Sequence, residues 1–355
     1  MIAWAKRQLG GQGAVVVLTF HRVLPDDSYA KTLSPAGMVV RERTFEESLR
    51  FLARRYQLLN LAQGGPQWSN GSRKLRVAVT FDDGWIDNGR VAFPIARKHG
   101  VPLTIFVCTG SLGQELPFWP EQVAALWRAA ERAGITGKLA ELLSGLTPGR
   151  QAECGQLAAD AIELLKQFAL QGQHSAVSVI ELLKQFSAHQ RAQAIAQMAE
   201  IVGAATRADG AVDATMSWPE LDRLAQNGVT FGSHTHSHQI LTRVAPPDAC
   251  RELAESKHVL EQRLGKECAI FSYPNGDWSR EVRDLVARAG YKLAFLNEDG
   301  VWTSQSDPWL IPRVNLWEGS LTGPSGRFSR MASEYSIFWK AYRAPRPEAA
   351  RKDAR

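Results

Sequence analysis

Short apolar, β-rich runs recur along the chain, and several end in a polar side chain of the kind that active sites use. The runs lie near 14–20, 56–61, 76–81, 102–108, 229–233, 269–273, 292–296 and 310–316. Amphipathic helical patterns separate many of them, which favours a parallel sheet. Seven or eight strands in this alternation predict a distorted (β/α) barrel of the α/β class. Since parallel barrels carry their chemistry at the C-terminal ends of the strands, the polar residues that follow the runs should share one face.

Local signals mark where several helices begin. The segments Thr44-Phe45-Glu46-Glu47 and Ser217-Trp218-Pro219-Glu220 both have the spacing of a capping box. They predict helices that run from Thr44 to about Arg55 and from Ser217 to Gly228. Two further helices are predicted at about 248–264 and 279–289, each closed by a glycine.

The strand pattern stops between about 117 and 214. This stretch is rich in Ala, Gln, Leu and Glu with helical periodicity, and residues 162–168 are echoed by 180–186. We therefore expect one barrel domain over residues 1–340 with a helical insertion at about 117–214, outside the barrel core. The insertion could shape a substrate cleft or serve as a buttress. Residues 341–355 are predicted to form a basic, disordered tail.

Composition narrows the class of protein. The chain has 355 residues, 45% hydrophobic and 22% charged, which is typical of a folded globular protein. Six of its Lys and Arg lie between Lys340 and Arg355, against two acidic residues there. The rest is nearly neutral, so no nucleic-acid partner is indicated, and the tail either is solvated or touches an anionic membrane surface. No apolar run suits a signal peptide or a transmembrane span, so we expect a cytoplasmic, at most membrane-peripheral, protein. The four cysteines have no CxxC spacing.

Two strand ends carry residues that suit a metal site. Asp82 and Asp83 follow one apolar run, and His234 and His238 follow another. Two imidazoles and a carboxylate suit zinc and leave a position open for water. Adjacent side chains on an extended chain point in opposite directions, so one aspartate could face the metal and the other the substrate. Asp-Asp-Gly alone could be a turn that closes a strand, but together with the histidine pair it favours a hydrolytic metal site.

The same segments resemble a known family. The sequences TFDDG at 80–84 and HTHSH at 234–238 are similar to the first two motifs of the polysaccharide deacetylases with a NodB homology domain, carbohydrate esterase family 4. Segments 18–23, 216–221, 271–277 and 289–291 resemble the family as well, so the resemblance covers roughly 14–110 and 215–316. It implies a NodB-like barrel that holds a divalent metal, usually zinc. It also implies Asp83, His234 and His238 as ligands and Asp82 as general base.

Two departures from the family pattern concern the acid and the partner of the base. Phe271-Ser272-Tyr273 stands where classical members carry an arginine, and no histidine follows His258 to supply the late acid histidine. Another branch of the family takes its acid histidine from the N-terminal part of the chain. His21 fits that role, and Arg313 is expected to replace the missing arginine as the partner of Asp82.

The resemblance implies a metal-dependent N-deacetylase that hydrolyses the acetamide of an N-acetylated amino sugar in a polysaccharide or glycoconjugate and releases acetate. The alternatives are a C–N hydrolase that acts on a small amide and a catalytically silent sugar-binding relative. His236, between the two ligand histidines, is expected to point away from the site. A backbone N–H near Tyr273 is a candidate donor to the oxyanion, and the indoles are candidates for stacking on sugar. The expected substrate-contacting residues are Tyr273, Pro274, Asn275, Trp85, Trp278 and Arg313.

Overall fold

The structure is a computed structural model. It describes residues 1–11, 13–61, 75–115, 118–145, 176–184, 186, 188–203 and 213–344. These residues form two compact units. The barrel unit lies within Met1–Lys31, Ala36–Gln114 and Thr215–Arg355, and the helical unit lies within Thr32–Pro35 and Glu115–Ala214. No helix in the described ranges is both long and apolar enough to cross a membrane.

The strands fall close to the predicted runs. They are β1 (Val15–Phe20), β2 (Arg22–Leu24), β3 (Val39–Arg41), β4 (Gln57–Leu59), β5 (Arg76–Phe81), β6 (Leu103–Val107), β7 (Thr230–Ser233), β8 (Ile270–Ser272), β9 (Leu293–Phe295) and β10 (Val314–Asn315). The pair β2 and β3, which the sequence pattern did not predict, forms a small separate parallel sheet.

The main sheet is parallel and curls on itself. Its order is β10-β1-β5-β6-β7-β8-β9, and β4 pairs with the first half of β5. Ile311 pairs with Phe295 at the end of β9, and Val314 pairs with Leu18 of β1. The segment before and through β10 therefore links the two edges of the sheet. The predicted distorted (β/α) barrel is confirmed.

Helices surround the sheet and make up the helical unit. In the described residues they are α1 (Ile2–Gly11), α2 (Asp26–Tyr29), α3 (Glu42–Arg55), α4 (Phe93–Lys98), α5 (Trp119–Ala133), α6 (Thr136–Ser144), α7 (Ala176–Leu183), α8 (Ala188–Val202), α9 (Trp218–Gln226), α10 (Pro246–Leu264), α11 (Arg280–Arg288), α12 (Glu318–Leu321), α13 (Arg330–Glu334) and α14 (Lys340–Arg343). Two π-helical turns, Asn88–Ala92 and Tyr335–Trp339, precede α4 and α14.

The predicted capping boxes had different outcomes. Ser217 caps α9 as predicted, because its side chain accepts from the Glu220 N–H while the Glu220 carboxylate accepts from the Ser217 N–H. The prediction at Thr44 was wrong. Helix α3 begins at Glu42, and the Thr44 hydroxyl donates instead to Glu318, 274 residues away. A tertiary contact has replaced the local one.

Two predicted segments differ from the structure or fall partly outside it. Residues 341–343 of the predicted disordered tail are helical, since they belong to α14. Residues 345–355 lie outside the described residues, as does the first copy of the 162–168 echo. The second copy lies on and just after α7. That residues 117–214 form a wholly helical insertion within a single barrel domain, outside the barrel core, stays a prediction.

The core divides by strand face. Alternate residues of β1 and β5, such as Val15, Val17 and Ala78, pack with Phe106 and Phe295 inside the barrel. The intervening residues pack outward against the helices. The helical unit has its own buried cluster on α5, α6, α7 and α8. The segment 32–35 is fastened within that unit by the Thr32 hydroxyl, which donates to Asp213 at 2.6 Å.

Strand register sets the level of the site. Phe20 pairs with Phe81, so His21 and Asp82 leave their strands side by side. Ser233 pairs with Val107 and with Phe271, so His234 leaves β7 beside the end of β8. These residues therefore meet at the C-terminal end of the barrel.

Candidate metal centre

Asp83, His234 and His238 come together at the C-terminal ends of β5 and β7. Asp83 Oδ1 lies 3.5 Å from His234 Nε2 and 3.4 Å from His238 Nε2. One ligand atom from each residue lies within 4.8 Å of the others. Ligands placed at about 2.0–2.2 Å around a tetrahedral zinc ion would lie roughly 3.4 Å apart. The three residues thus fit a divalent ion in both donor type and spacing.

The backbone around the cluster is held in unusual conformations. Asp83 has φ 75°, and Thr235 and His238 have φ 69° and 57°. Such left-handed angles are uncommon outside glycine and point to a functional constraint. The Glu252 carboxylate of α10 fixes the histidine loop, since it accepts from the N–H groups of His236 and Ser237 at 2.9 and 2.8 Å.

His234 is prepared to act as a ligand. Its Nδ1 donates to the Ser272 carbonyl at 2.8 Å, which leaves the Nε2 lone pair directed toward Asp83. Burial is the largest influence on this ring and lowers its pKa to about 4, although the neighbouring carboxylates oppose the shift. The imidazole is therefore neutral, as metal coordination requires, across the physiological pH range.

A buried network orients Asp83 through the carboxylate oxygen that faces away from the histidines. The Trp85 Nε1–H donates to Asp83 Oδ2 at 3.0 Å, while Oδ1 faces the histidines. The Arg22 guanidinium lies over the Trp85 ring, 4.2 Å from its centroid, and is paired with Asp87 at 2.9 Å. Burial raises the pKa of Asp83, but the neighbouring imidazoles outweigh it, so the pKa lies well below the ordinary value. Asp83 is thus a fixed carboxylate.

Asp82 has a different partner. Arg313 holds it in a bidentate pair, with Nη1 to Oδ1 at 2.7 Å and Nη2 to Oδ2 at 2.6 Å. The guanidinium also donates to the Ser272 hydroxyl and to the Leu296 carbonyl. Burial is the largest single influence on Asp82 and raises its pKa. Arg313 and the other nearby groups together outweigh burial, so the pKa lies below its ordinary value. The structure therefore contains the predicted pairing of Asp82 with Arg313.

His21 reaches the same end of the barrel. It follows β1 beside Asp82. Its backbone carbonyl accepts from Asn88 Nδ2 at 2.8 Å. Its Nδ1 is buried and has no hydrogen-bond partner among the described protein atoms. His236 lies apart, with Nδ1 2.9 Å from the Thr109 hydroxyl and Nε2 3.6 Å from Glu255.

Several expected substrate contacts are corrected by the structure. Trp85 and Trp278 are almost wholly buried, so neither indole offers a face for a sugar. Tyr273 is buried, with its hydroxyl donating to Trp309 and its N–H donating to Phe295, so neither group remains for an oxyanion.

The rest of that segment divides by exposure. Pro274 is buried, whereas Asn275 is exposed and donates to the Asp277 carboxylate. Among the predicted residues 273–275, Asn275 alone is open to solvent.

Sequence reasoning missed three features of the site. Trp317 follows β10, next to the end of β1, and is 38% exposed. Its position two residues after the last strand was the available signal. The Arg22–Asp87 pair and the Asn88 contact with His21 were also missed, because they join residues more than 60 positions apart.

Part of the chain is similar in sequence to known proteins. Residues 173–294 match the family model described as polysaccharide deacetylase. A stretch of 100 residues is 26% identical to YxkH of Bacillus subtilis (strain 168), a protein named as a polysaccharide deacetylase. The matched part of the chain is thus similar to the polysaccharide deacetylases. The match to YxkH covers 28% of the chain and spans 36% of the length of that relative.

Two solved structures share the fold. The Streptococcus pyogenes deacetylase PplD, solved in complex with acetate, aligns with a TM-score of 0.51 at 16% identity over 86% of this chain and 94% of that one. IcaB from Ammonifex degensii aligns with a TM-score of 0.51 at 17% identity over 92% and 97% of the two chains. The region matched by the polysaccharide deacetylase model contains His234 and His238, and the aspartates lie before it.

Proposed function

We propose that the chain is a metal-dependent N-deacetylase, a hydrolase of non-peptide C–N bonds. Its substrate would be the acetamide of an N-acetylated amino sugar in a polysaccharide or glycoconjugate, and its products acetate and the free amine. The observation that carries the proposal is the Asp83, His234 and His238 cluster beside an arginine-held Asp82. The cluster supplies ligands for a cation, and the separate buried carboxylate supplies a general base. Amide hydrolysis needs both.

The three clustered residues would hold a divalent ion, and zinc suits their two nitrogens and one oxygen. Such an ion supplies Lewis acidity toward the amide carbonyl and toward water. Asp82 would take the proton of the attacking water as the new C–O bond forms. Arg313 fixes both Asp82 oxygens, so the carboxylate keeps its orientation and its charge at neutral pH. A positioned base of this kind contributes about 10²–10⁴ in rate.

The amine must leave with a proton. His21 is proposed to deliver it to the nitrogen as the C–N bond breaks. Its place beside Asp82 at the end of β1 supports this role, as does its carbonyl, which Asn88 holds in place. Bond cleavage yields acetic acid and a neutral amine, and the acid ionises to acetate at neutral pH. Asp82 then releases its proton to solvent and His21 takes one up, so both groups return to their starting states.

Trp317 is proposed to replace the buried indoles as the surface that stacks on a sugar ring. It is partly exposed and lies at the end of the barrel where the catalytic groups meet. An indole combines a large apolar face with low conformational cost, which suits a sugar. The exposed Asn275 is a second candidate for substrate contact.

Acetate release tests the proposal. The purified protein would be incubated with chitin oligomers, peptidoglycan fragments and lipid-linked amino sugars, with and without a chelator. We expect release from one class, loss with the chelator and recovery on addition of zinc. Release that ignores the chelator, or release from simple amides alone, would contradict the proposal.

The proposed acid has its own test. A His21→Gln variant should keep bound metal, lose most of its turnover and lose the alkaline limb of the rate profile, since that limb would report deprotonation of the acid. Normal turnover with an unchanged pH profile would show that His21 is structural.

A further inference from the structure

Exposed hydrophobic side chains gather on one part of the barrel unit. In the described ranges, six large hydrophobic residues are well exposed, and four of them lie within residues 1–11, which include helix α1, or on the helical segment 330–343. The four are Met1, Trp4, Met331 and Tyr335, exposed by 87%, 47%, 75% and 47%. Single exposed apolar residues are ordinary, whereas a cluster marks a contact surface. We call residues 1–11 together with residues 330–343 the terminal face.

The terminal face is one packed surface. Lys6 Nζ donates to Glu334 at 3.0 Å, and the Trp4 ring meets Tyr342 edge to face at 5.0 Å between centroids. Trp339 stacks on Tyr342 at 6.4 Å, so the exposed aromatics continue into partly buried ones.

Other residues hold these helices in place. Ala5 and Leu9 of α1 are buried, as are Ile337, Phe338 and Ala341 of the other segment. The exposed residues are therefore not needed for the attachment of the face to the barrel.

Charge is concentrated on the same part of the sequence. Residues 1–11 and 330–355 contain nine Lys and Arg against three Asp and Glu. That surplus of six equals the formal net charge of the whole chain, +6, so residues 12–329 are neutral in sum. Within the structure, Arg7, Lys340 and Arg343 are exposed on the terminal face. Glu334, the acidic residue of that face, is already paired with Lys6 and Arg330.

We propose that the terminal face binds the surface of an anionic phospholipid membrane. Trp, Tyr and Met side chains insert at the headgroup level, and Lys and Arg nearby pair with lipid phosphates. A second copy of the chain would bring like charges together, and a purely electrostatic partner would not use the exposed Trp4, Tyr335 and Met331. Residues 345–355, which add four basic residues against two acidic ones, continue directly from this face.

The terminal face lies away from the candidate metal centre. Helix α1 ends at Gly11 just before β1 begins, and Lys6 lies over the ring of Tyr56, which precedes β4. The terminal face is therefore at the end of the barrel where strands begin, and the metal-binding cluster is where they end. Membrane binding and hydrolysis of a soluble substrate should be separable.

Vesicle co-sedimentation of the full chain tests the proposal without any assay of activity. The wild type should bind vesicles of phosphatidylcholine mixed with phosphatidylglycerol and bind phosphatidylcholine alone much less. Binding should weaken as salt rises, since the Debye length falls from about 10 Å at 0.1 M to about 3 Å at 1 M. A Trp4→Ser, Tyr335→Ser double variant should bind on the order of tenfold more weakly. Val177→Ser is the matched control, because Val177 is 58% exposed in the helical unit and should not affect binding.

A second variant tests the proposal independently, in case the first does not fold. Arg7→Glu with Arg343→Glu changes only exposed charges and should also lose binding to the anionic vesicles. Each variant would be checked by circular dichroism and thermal unfolding.

Three results would overturn the proposal. The first is a wild type that does not bind anionic vesicles. The second is undiminished binding by both variants while removal of residues 345–355 abolishes it, which would assign the contact to the tail alone. The third is a wild-type dimer that the double variant loses while neither binds vesicles, which would make the face a protein interface.

Discussion

The proposed metal ligands and the proposed acid lie at the same end of the barrel, but the protein holds them differently. Asp83 and His234 each have a second partner, Trp85 and the Ser272 carbonyl, which fixes the atom that faces the cluster. His21 is held through its backbone by Asn88, and its buried Nδ1 has no partner among the described protein atoms. An unpaired buried polar atom costs about 1–3 kcal/mol. The ligand side is therefore organised in the free protein, whereas the acid side has a polar atom still to be satisfied.

The largest effect is expected when one of the proposed ligands is removed. In His234→Ala the cluster keeps Asp83 and His238 only, and two ligands do not retain zinc against a chelator. We expect loss of bound metal and of acetate release, measured by elemental analysis and by the activity assay. His236→Ala is the control, since His236 lies in the same loop but pairs with Thr109. Full metal content in His234→Ala would refute the ligand assignment.

The next test separates the base from the ligands. Asp82→Asn should keep the metal, because Asp82 faces Arg313, and should lower turnover by about 10²–10⁴. It also leaves the buried guanidinium without its counter-charge, which costs about 3–5 kcal/mol. Thermal unfolding must therefore show that the variant is folded at the assay temperature. A folded Asp82→Asn protein with nearly normal turnover would place the base elsewhere.

A smaller effect is expected when a residue that supports a proposed ligand is changed. Trp85→Phe keeps a ring beneath Arg22 but removes the N–H that donates to Asp83. Loss of such a supporting hydrogen bond typically lowers metal affinity by about 10–100-fold. Competition with a chelator of known affinity would measure it. Trp127→Phe is the matched control, since Trp127 is buried in the helical unit and its N–H also donates to a carboxylate, that of Glu131. Equal affinities in the two variants would show that the Trp85 bond does not orient Asp83.

The sequence predicted features that depend on short stretches of chain. The apolar runs predicted the barrel, and Ser217 with Glu220 predicted the start of α9, because these signals lie within a few residues. The aspartates and histidines were expected at strand ends for the same reason. The pairing of Asp82 with Arg313, 231 residues away, was accessible only because a resemblance to a family drew attention to a missing arginine.

Features set by distant contacts could not be predicted in this way. Thr44 has the spacing of a cap, yet its hydroxyl is bound by Glu318. Trp85 stands next to the motif, so exposure for stacking was a reasonable expectation, but Arg22 covers its ring and Asp83 takes its N–H. Burial of a tryptophan depends on what the rest of the chain packs against it. The three-residue strands β2 and β3 were missed because so short a pattern has no periodicity to read.

The smallest expected effect concerns the metal-free protein in acid. Burial is the main reason that the pKa of His234 falls from 6.5 to about 4 in the folded state. Between these values the unfolded chain binds a proton that the folded chain does not, so stability is complete above about pH 6.5 and falls as the pH drops toward 4. The lowered pKa of Asp83 acts in a different window, because its contribution is lost only below the ordinary carboxyl value of 3.8. The contribution of His234 to the free energy of unfolding amounts to about 1–3 kcal/mol, which for a protein of this size is a few degrees in Tm. Thermal unfolding of chelator-treated protein at pH 7.5 and pH 5 would measure it, with His234→Asn as the comparison, since an amide does not titrate. We expect the wild type to lose more Tm than His234→Asn over this interval. Equal losses would show that the pH dependence arises elsewhere, and that the ligand side is less firmly organised without its ion than its hydrogen bonds indicate.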